Sequence, residues 1–116
     1  MRGTILVVDD DATVRGALAG ALEAEGYATH RSADAAAALA IVDRHHVDLM
    51  LTDVVLPGLD GVALVHAVRE RAPQMPVILV SGIVEGVTLP ETPFVAKPVE
   101  LAPLLAAVAR LLRATS

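Results

Sequence analysis

Three aspartates in succession, Asp9-Asp10-Asp11, follow the apolar run Ile5-Leu6-Val7-Val8 near the start of the chain. Grouped carboxylates repel. Two unit charges about 4 Å apart cost roughly 1 kcal/mol in water and about 4 kcal/mol at a protein-like dielectric. Two readings account for the cluster: Asp10 or Asp11 caps a following helix by accepting its free N–H groups, or the acids share a cation. Three further polar groups stand where apolar runs end. Asp53 follows Leu49-Met50-Leu51, Ser81 follows Val77-Ile78-Leu79-Val80, and Lys97 follows Phe94-Val95-Ala96. Carboxylates, a hydroxyl and an amine at successive run ends form one polar constellation if the runs lie side by side.

The runs have the character of buried parallel strands, being unbroken and rich in Val, Ile and Leu. Tyr27-Ala28-Thr29-His30-Arg31 is more polar and reads as an edge strand. Helical spacing fills the intervals. Val14, Ala17, Leu18, Ala21 and Leu22 make one stripe, with Gly26 as its C-cap. Ala35 to Val42 is a second helix capped by Ser32 or Asp34. Asp60 caps a third that runs toward Arg71 and stops at Pro73. Leu101, Leu104, Leu105, Val108, Leu111 and Leu112 form the last stripe. Alternating strands and helices predict an α/β fold, a doubly wound parallel sheet with helices on both faces. In such sheets the working site lies beyond the carboxyl ends of the strands, which is where the constellation falls.

Composition narrows the class. At 116 residues the chain suits a single domain, expected to span 1–116. Apolar residues make up 54% but aromatic ones only 2%, so the core must be aliphatic. Charged residues interrupt every apolar run before the length of a membrane span, and no signal peptide is visible. There is no cysteine to form a disulfide or a thiolate metal site. A cytoplasmic location is expected, with no membrane partner. The net charge of −5 argues against direct binding of nucleic acid.

Taken together, Asp9-Asp10, "LMLTDVVLPGLDG", "VILVSG" and "FVAKPV" resemble the receiver domain of two-component response regulators, in family order and over nearly the whole chain. The resemblance implies a five-stranded sheet of flavodoxin-like order 2-1-3-4-5 and a signalling switch rather than an enzyme. It implies Asp53 as phosphoacceptor, and Asp9, Asp10, Asp53 and the backbone carbonyl of Val55 as ligands of Mg²⁺, a hard cation suited to oxygen donors. Lys97 and Ser81 would contact the phosphoryl group. Ser81 and Phe94 would form the switch pair, and Lys97-Pro98 a cis peptide. The phosphoryl donor would be a histidine kinase or a histidine phosphotransfer protein, and the output partner a further protein. The resemblance leaves the oligomeric state open, and the chain is expected to be either a stand-alone regulator or the N-terminal part of a longer one. Pro57-Gly58 marks a turn after Asp53, and Gly61 permits close backbone packing there.

The chain departs from the family between Ser81 and Lys97, where "GIVEGVTLPETPFVA" is short and rich in Gly, Pro and β-branched residues. The family's fourth helix, between the fourth and fifth strands, is therefore expected to be absent or reduced to a loop. Val55 and Ile83 flank the path of an attacking water in the family fold, and apolar residues there predict slow loss of phosphate. None of the four histidines has metal-ligand spacing; His45-His46 suit a helix end and His66 a solvated face. Two other functions compete. Asp9-x-Asp11-x-Thr13 matches the motif of haloacid-dehalogenase-type phosphohydrolases, with Asp9 as nucleophile, but the late acidic pair of those enzymes is missing. A receiver-like module that signals without phosphate would not need the complete polar set.

Overall fold

A computed structural model of the protein describes residues 2–56, 61–81, 92–97 and 99–115, with the backbone alone at Ser81, Phe94, Ala114 and Thr115. Five strands, β1 (Thr4–Val8), β2 (Ala28–Ser32), β3 (Leu49–Asp53), β4 (Val77–Ser81) and β5 (Phe94–Ala96), form one parallel sheet of order β2-β1-β3-β4-β5. Four helices are described: α1 (Ala12–Ala24), α2 (Ala35–Arg44), α3 (Gly61–Arg71) and α4 (Leu101–Thr115). The expected turn at Pro57-Gly58, the cap at Asp60, the loop replacing the family's fourth helix and the Pro98 peptide lie outside the described residues.

Strand alternation explains the two cores. Leu6, Val8, Met50, Val77 and Leu79 point to one face and pack with Ala35 and Ala38 of α2 and Leu64, Val65 and Val68 of α3. Ile5, Val7, Leu49, Leu51, Ile78 and Val80 point to the other and meet Leu18 and Leu22 of α1 and Leu104 and Val108 of α4. Because successive side chains take opposite faces, a strand lying between two helical layers carries apolar residues in succession, as Leu49, Met50 and Leu51 do in β3. β3 is buried at all five positions. β2, at the sheet edge, has only Ser32 buried, as its polar sequence predicts.

The helix caps resolve the choices the sequence left open. Asp11 is the N-cap of α1, its Oδ1 accepting the N–H groups of Thr13 and Val14 at 2.9 and 3.3 Å. Asp34 caps α2 by accepting Ala37 N–H at 2.8 Å; Ser32 instead donates its hydroxyl to the Asp34 carbonyl. The C-cap of α1 is Glu25 rather than Gly26, which takes the next position with φ of 97°. That left-handed geometry is what glycine permits without strain, and it turns the chain into β2.

Candidate active site at the carboxyl edge of the sheet

β1 and β3 are hydrogen-bonded neighbours, with Val8 in register with Thr52. Asp9 and Asp53, each one step further along, therefore emerge side by side. Asp9 is 1% exposed and Asp53 7%. With the exposed Asp10 they form a group whose ligand oxygens all lie within 4.8 Å of one another. Three carboxylates this close need positive charge. Lys97, directly after β5, supplies some: its Nζ donates to Asp53 Oδ2 at 2.7 Å and to Asp9 Oδ2 at 3.1 Å. Burial pulls the Lys97 pKa down, but the hydrogen bonds and charges of Asp53 and Asp9 outweigh it and hold the amine above the usual lysine range.

The remaining oxygens are also engaged. Asp53 Oδ1 accepts Val55 N–H at 3.0 Å, and Asp9 Oδ1 accepts Asp11 N–H at 2.9 Å. The buried Thr52 donates its hydroxyl to the Asp53 carbonyl at 3.0 Å. Asp10, by contrast, has no side-chain hydrogen bond among the described residues. The oxygen donors, their number and their closeness suit a hard divalent cation that retains several waters. Asp11 belongs to the cap, so of the three opening aspartates two face the site and one does not.

Two features near the site carry weak sequence signals. Gly61 starts α3 hard against the end of β3, its N–H donating to the Val54 carbonyl at 2.6 Å. A Cβ at this position would stand 2.7 Å from Val54 Cα and 2.9 Å from the Asp53 carbonyl carbon. The Asp-Gly pair in the sequence hints at such packing but not at its target. Arg15 carries no motif; its only signal is its place four residues after the α1 cap. Its Nη1 donates to the Asp9 carbonyl at 2.8 Å.

Beside Lys97 a groove of about 350 Å³ runs between α1 and the start of α4, lined by Thr13, Val14, Ala17, Leu18, Val99 and Leu101. The large apolar side chains most exposed among the described residues, Val55 and Leu101, follow Asp53 and Lys97 in the chain by two and four residues. Another cavity of about 370 Å³, lined by Val42, His45 and Pro73 to Pro76, includes none of the clustered acids. His45 closes the C-terminus of α2 with its N–H on the Ile41 carbonyl, His46 pairs with Asp48, and His66 is exposed. The backbones of Ser81 and Phe94 take register positions opposite Ala96 and Leu79; their side chains lie outside the described residues.

Comparison with known proteins agrees with this arrangement. The model of the response regulator receiver domain matches residues 5–109. Response regulator MprA of Mycobacterium sp. (strain KMS) is 34% identical over 118 residues, covering 97% of this chain and 51% of that protein. The nitrogen assimilation regulatory protein NtrX of Azorhizobium caulinodans is 38% identical over 84 residues, 71% of this chain and 18% of its own length. The chain thus spans between about a fifth and a half of these relatives. The signal receiver domain of an HD domain-containing protein from Pseudomonas fluorescens Pf-5 superposes with a TM-score of 0.92 at 26% identity, covering 99% of this chain and 98% of that one. The receiver domain of the hybrid histidine kinase CckA does so at 0.85 with 33% identity, covering 95% and 99%. Acids at the ends of the two central strands, a lysine after the last, and a family match across both cores lead to one conclusion: the chain belongs to the receiver-domain family of two-component response regulators.

Proposed function

We propose that the chain is a phosphorylation-dependent switch whose phosphoacceptor is Asp53, with a phosphohistidine of a histidine kinase or phosphotransfer protein as donor. The observation that carries the reading is Lys97 Nζ shared between Asp53 and Asp9 at 2.7 and 3.1 Å. A carboxylate attacking an anionic phosphoryl group must overcome charge repulsion, and catalysis of this transfer is mostly positioning and charge stabilisation. Lys97 holds one oxygen of Asp53 and, as the group arrives, pairs with a phosphoryl oxygen. In the transfer an Asp53 oxygen bonds to phosphorus while the bond from phosphorus to the donor imidazole breaks. Asp9, Asp10 and Asp53, with the Val55 carbonyl, would hold Mg²⁺, which when bound neutralises charge on the phosphoryl oxygens. Ser81 supplies a hydroxyl to the phosphoryl group, and Phe94 repacks with it in the switch.

The apolar groove beside Lys97 and the exposed Leu101 suit the docking of a donor protein. The net charge of −5 favours a protein over nucleic acid as the direct partner. With Asp11 Oδ1 engaged in the α1 cap, a general acid at that position, as a phosphohydrolase with Asp9 as nucleophile requires, has little support. Intact mass after incubation with acetyl phosphate tests the proposal. A phosphoryl adduct that needs Mg²⁺ and disappears in Asp53→Asn is expected. An adduct that survives the substitution would move the acceptor elsewhere.

A further inference from the structure

We propose that Arg15 is a positioning residue of the acidic site: its guanidinium holds the turn between β1 and α1 in the shape that lets Asp9 and Asp10 share a divalent cation. The inference rests on the reading of that group as a Mg²⁺ site. Asp9 is held at every polar atom. Its N–H donates to the Ser32 carbonyl at 3.1 Å, Asp11 N–H reaches its Oδ1, and Lys97 reaches its Oδ2. Its carbonyl is held by Arg15 Nη1 at 2.8 Å.

That carbonyl is half of the peptide joining Asp9 to Asp10, and the six atoms of a peptide are coplanar. Fixing the oxygen therefore fixes the direction in which the Asp10 Cα departs. Asp10 is exposed and lacks a side-chain partner among the described residues. The backbone that precedes it is thus the main constraint on where its carboxylate stands. Arg15 is itself anchored, since its N–H donates to the Asp11 carbonyl at 2.9 Å inside the first turn of α1. The guanidinium consequently ties the helix to the end of the strand across the turn that carries the ligands.

Charge and positioning predict opposite signs, which makes the inference testable. Arg15 is a fixed positive charge close to the acids, so a purely electrostatic role means that its removal tightens Mg²⁺ binding. A positioning role means that removal weakens it, by about tenfold if it behaves like other groups that orient metal ligands. Mg²⁺ titration of the whole chain, followed by amide chemical shifts, should give a dissociation constant about tenfold higher for Arg15→Met than for the unmodified protein. Arg15→Lys, which keeps a charged donor on a similar stem, should fall between them. In chelator, the amides of Asp10 and Asp11 should exchange faster in Arg15→Met while those of β3 and β4 stay as slow as before. Equal or tighter Mg²⁺ binding by Arg15→Met overturns the inference. If that variant does not fold, binding by Arg15→Lys as tight as in the unmodified protein does so. Failure of the unmodified protein to bind Mg²⁺ at all would remove the metal reading itself, and this inference with it.

Discussion

Replacing Gly61 by alanine sets two ordinary rules against each other. In an exposed helix alanine is better than glycine by about 0.8–1 kcal/mol, and Gly61 opens α3 without a positive φ. Propensity alone predicts a more stable protein. Packing predicts the reverse. The added Cβ would meet Val54 Cα at 2.7 Å and the Asp53 carbonyl carbon at 2.9 Å, against the 3.4–4 Å of ordinary contact, and the nearest neighbours are all backbone. Backbone cannot swing aside as a side chain can, so the start of α3 must retreat. Overpacking of this kind costs about 1–3 kcal/mol, and the 2.6 Å bond from Gly61 N–H to the Val54 carbonyl contributes roughly another 0.5–1.5 kcal/mol when lost. After subtracting the propensity gain, Gly61→Ala should destabilise by about 0.5–3.7 kcal/mol, with the transition falling by about 4 °C per kcal/mol.

Gly20→Ala is the internal control. Gly20 is exposed on α1 with nothing within 4 Å of the added Cβ, so it should gain stability, by about 0.5–1 kcal/mol. The two substitutions are chemically identical and should shift the melting curve in opposite directions. Gly61→Ala should also slow phosphate uptake from acetyl phosphate, because the retreat of α3 removes the packing that holds the Asp53 backbone in place. Misplacement by about 1 Å can cost on the order of 100-fold in rate. A Gly61→Ala protein that melts at or above the parent and takes up phosphate at the parent rate would refute the reasoning.

Lys97→Met leaves Asp9 and Asp53 facing each other with no cation between them. Breaking a buried pair costs about 3–5 kcal/mol; with the lysine a quarter exposed, solvent screening lowers the expected loss to about 1–3 kcal/mol in chelator. Added Mg²⁺ should recover more stability in the variant than in the parent, and matching melts of the two in chelator would count against the ion pair. The raised pKa of Lys97 also sets a pH dependence. A pKa higher in the folded state contributes stability that is complete below the unfolded value, near 10.4, and lost as pH rises through the folded one. The stability gap between parent and Lys97→Met should thus be flat at neutral pH and shrink in strong alkali; a gap that widens there would reverse the sign. At the opposite edge of the sheet, Asp48 accepts Thr4 N–H at 2.7 Å while the Asp48 N–H reaches the Thr4 carbonyl at 2.8 Å. Asp48→Ala should cost about 1 kcal/mol in denaturant melts. His46→Ala, which removes only an exposed partner of the same carboxylate, should stay within about 0.5 kcal/mol.

Much of the architecture is legible in one dimension because burial dictates residue type directly. Ile5 to Val8, Leu49 to Leu51 and Val77 to Val80 are apolar at every position, as the stretch of a strand covered on both faces favours. The candidate site is legible for a related reason: a parallel sheet brings all its carboxyl ends to one edge, so the residues that end its strands must meet. Asp9, Asp10, Asp53 and Lys97 converge accordingly. Strand order could not come from strand character alone, since β1, β3 and β4 are interchangeable by composition; the resemblance to receivers supplied it.

What the chain's own letters determined is the set of groups at the active edge and the aliphatic character of the two cores. Only the tertiary structure decided which aspartate caps α1, where Arg15 reaches, and which backbone Gly61 touches. Those outcomes depend on ångström-scale distances between groups whose types permit several partners. An aspartate can serve a helix or a cation, an arginine any nearby carbonyl, and a glycine any close approach. Residue type fixes what a group is able to bind; the packing of the helices on the sheet selects the partner.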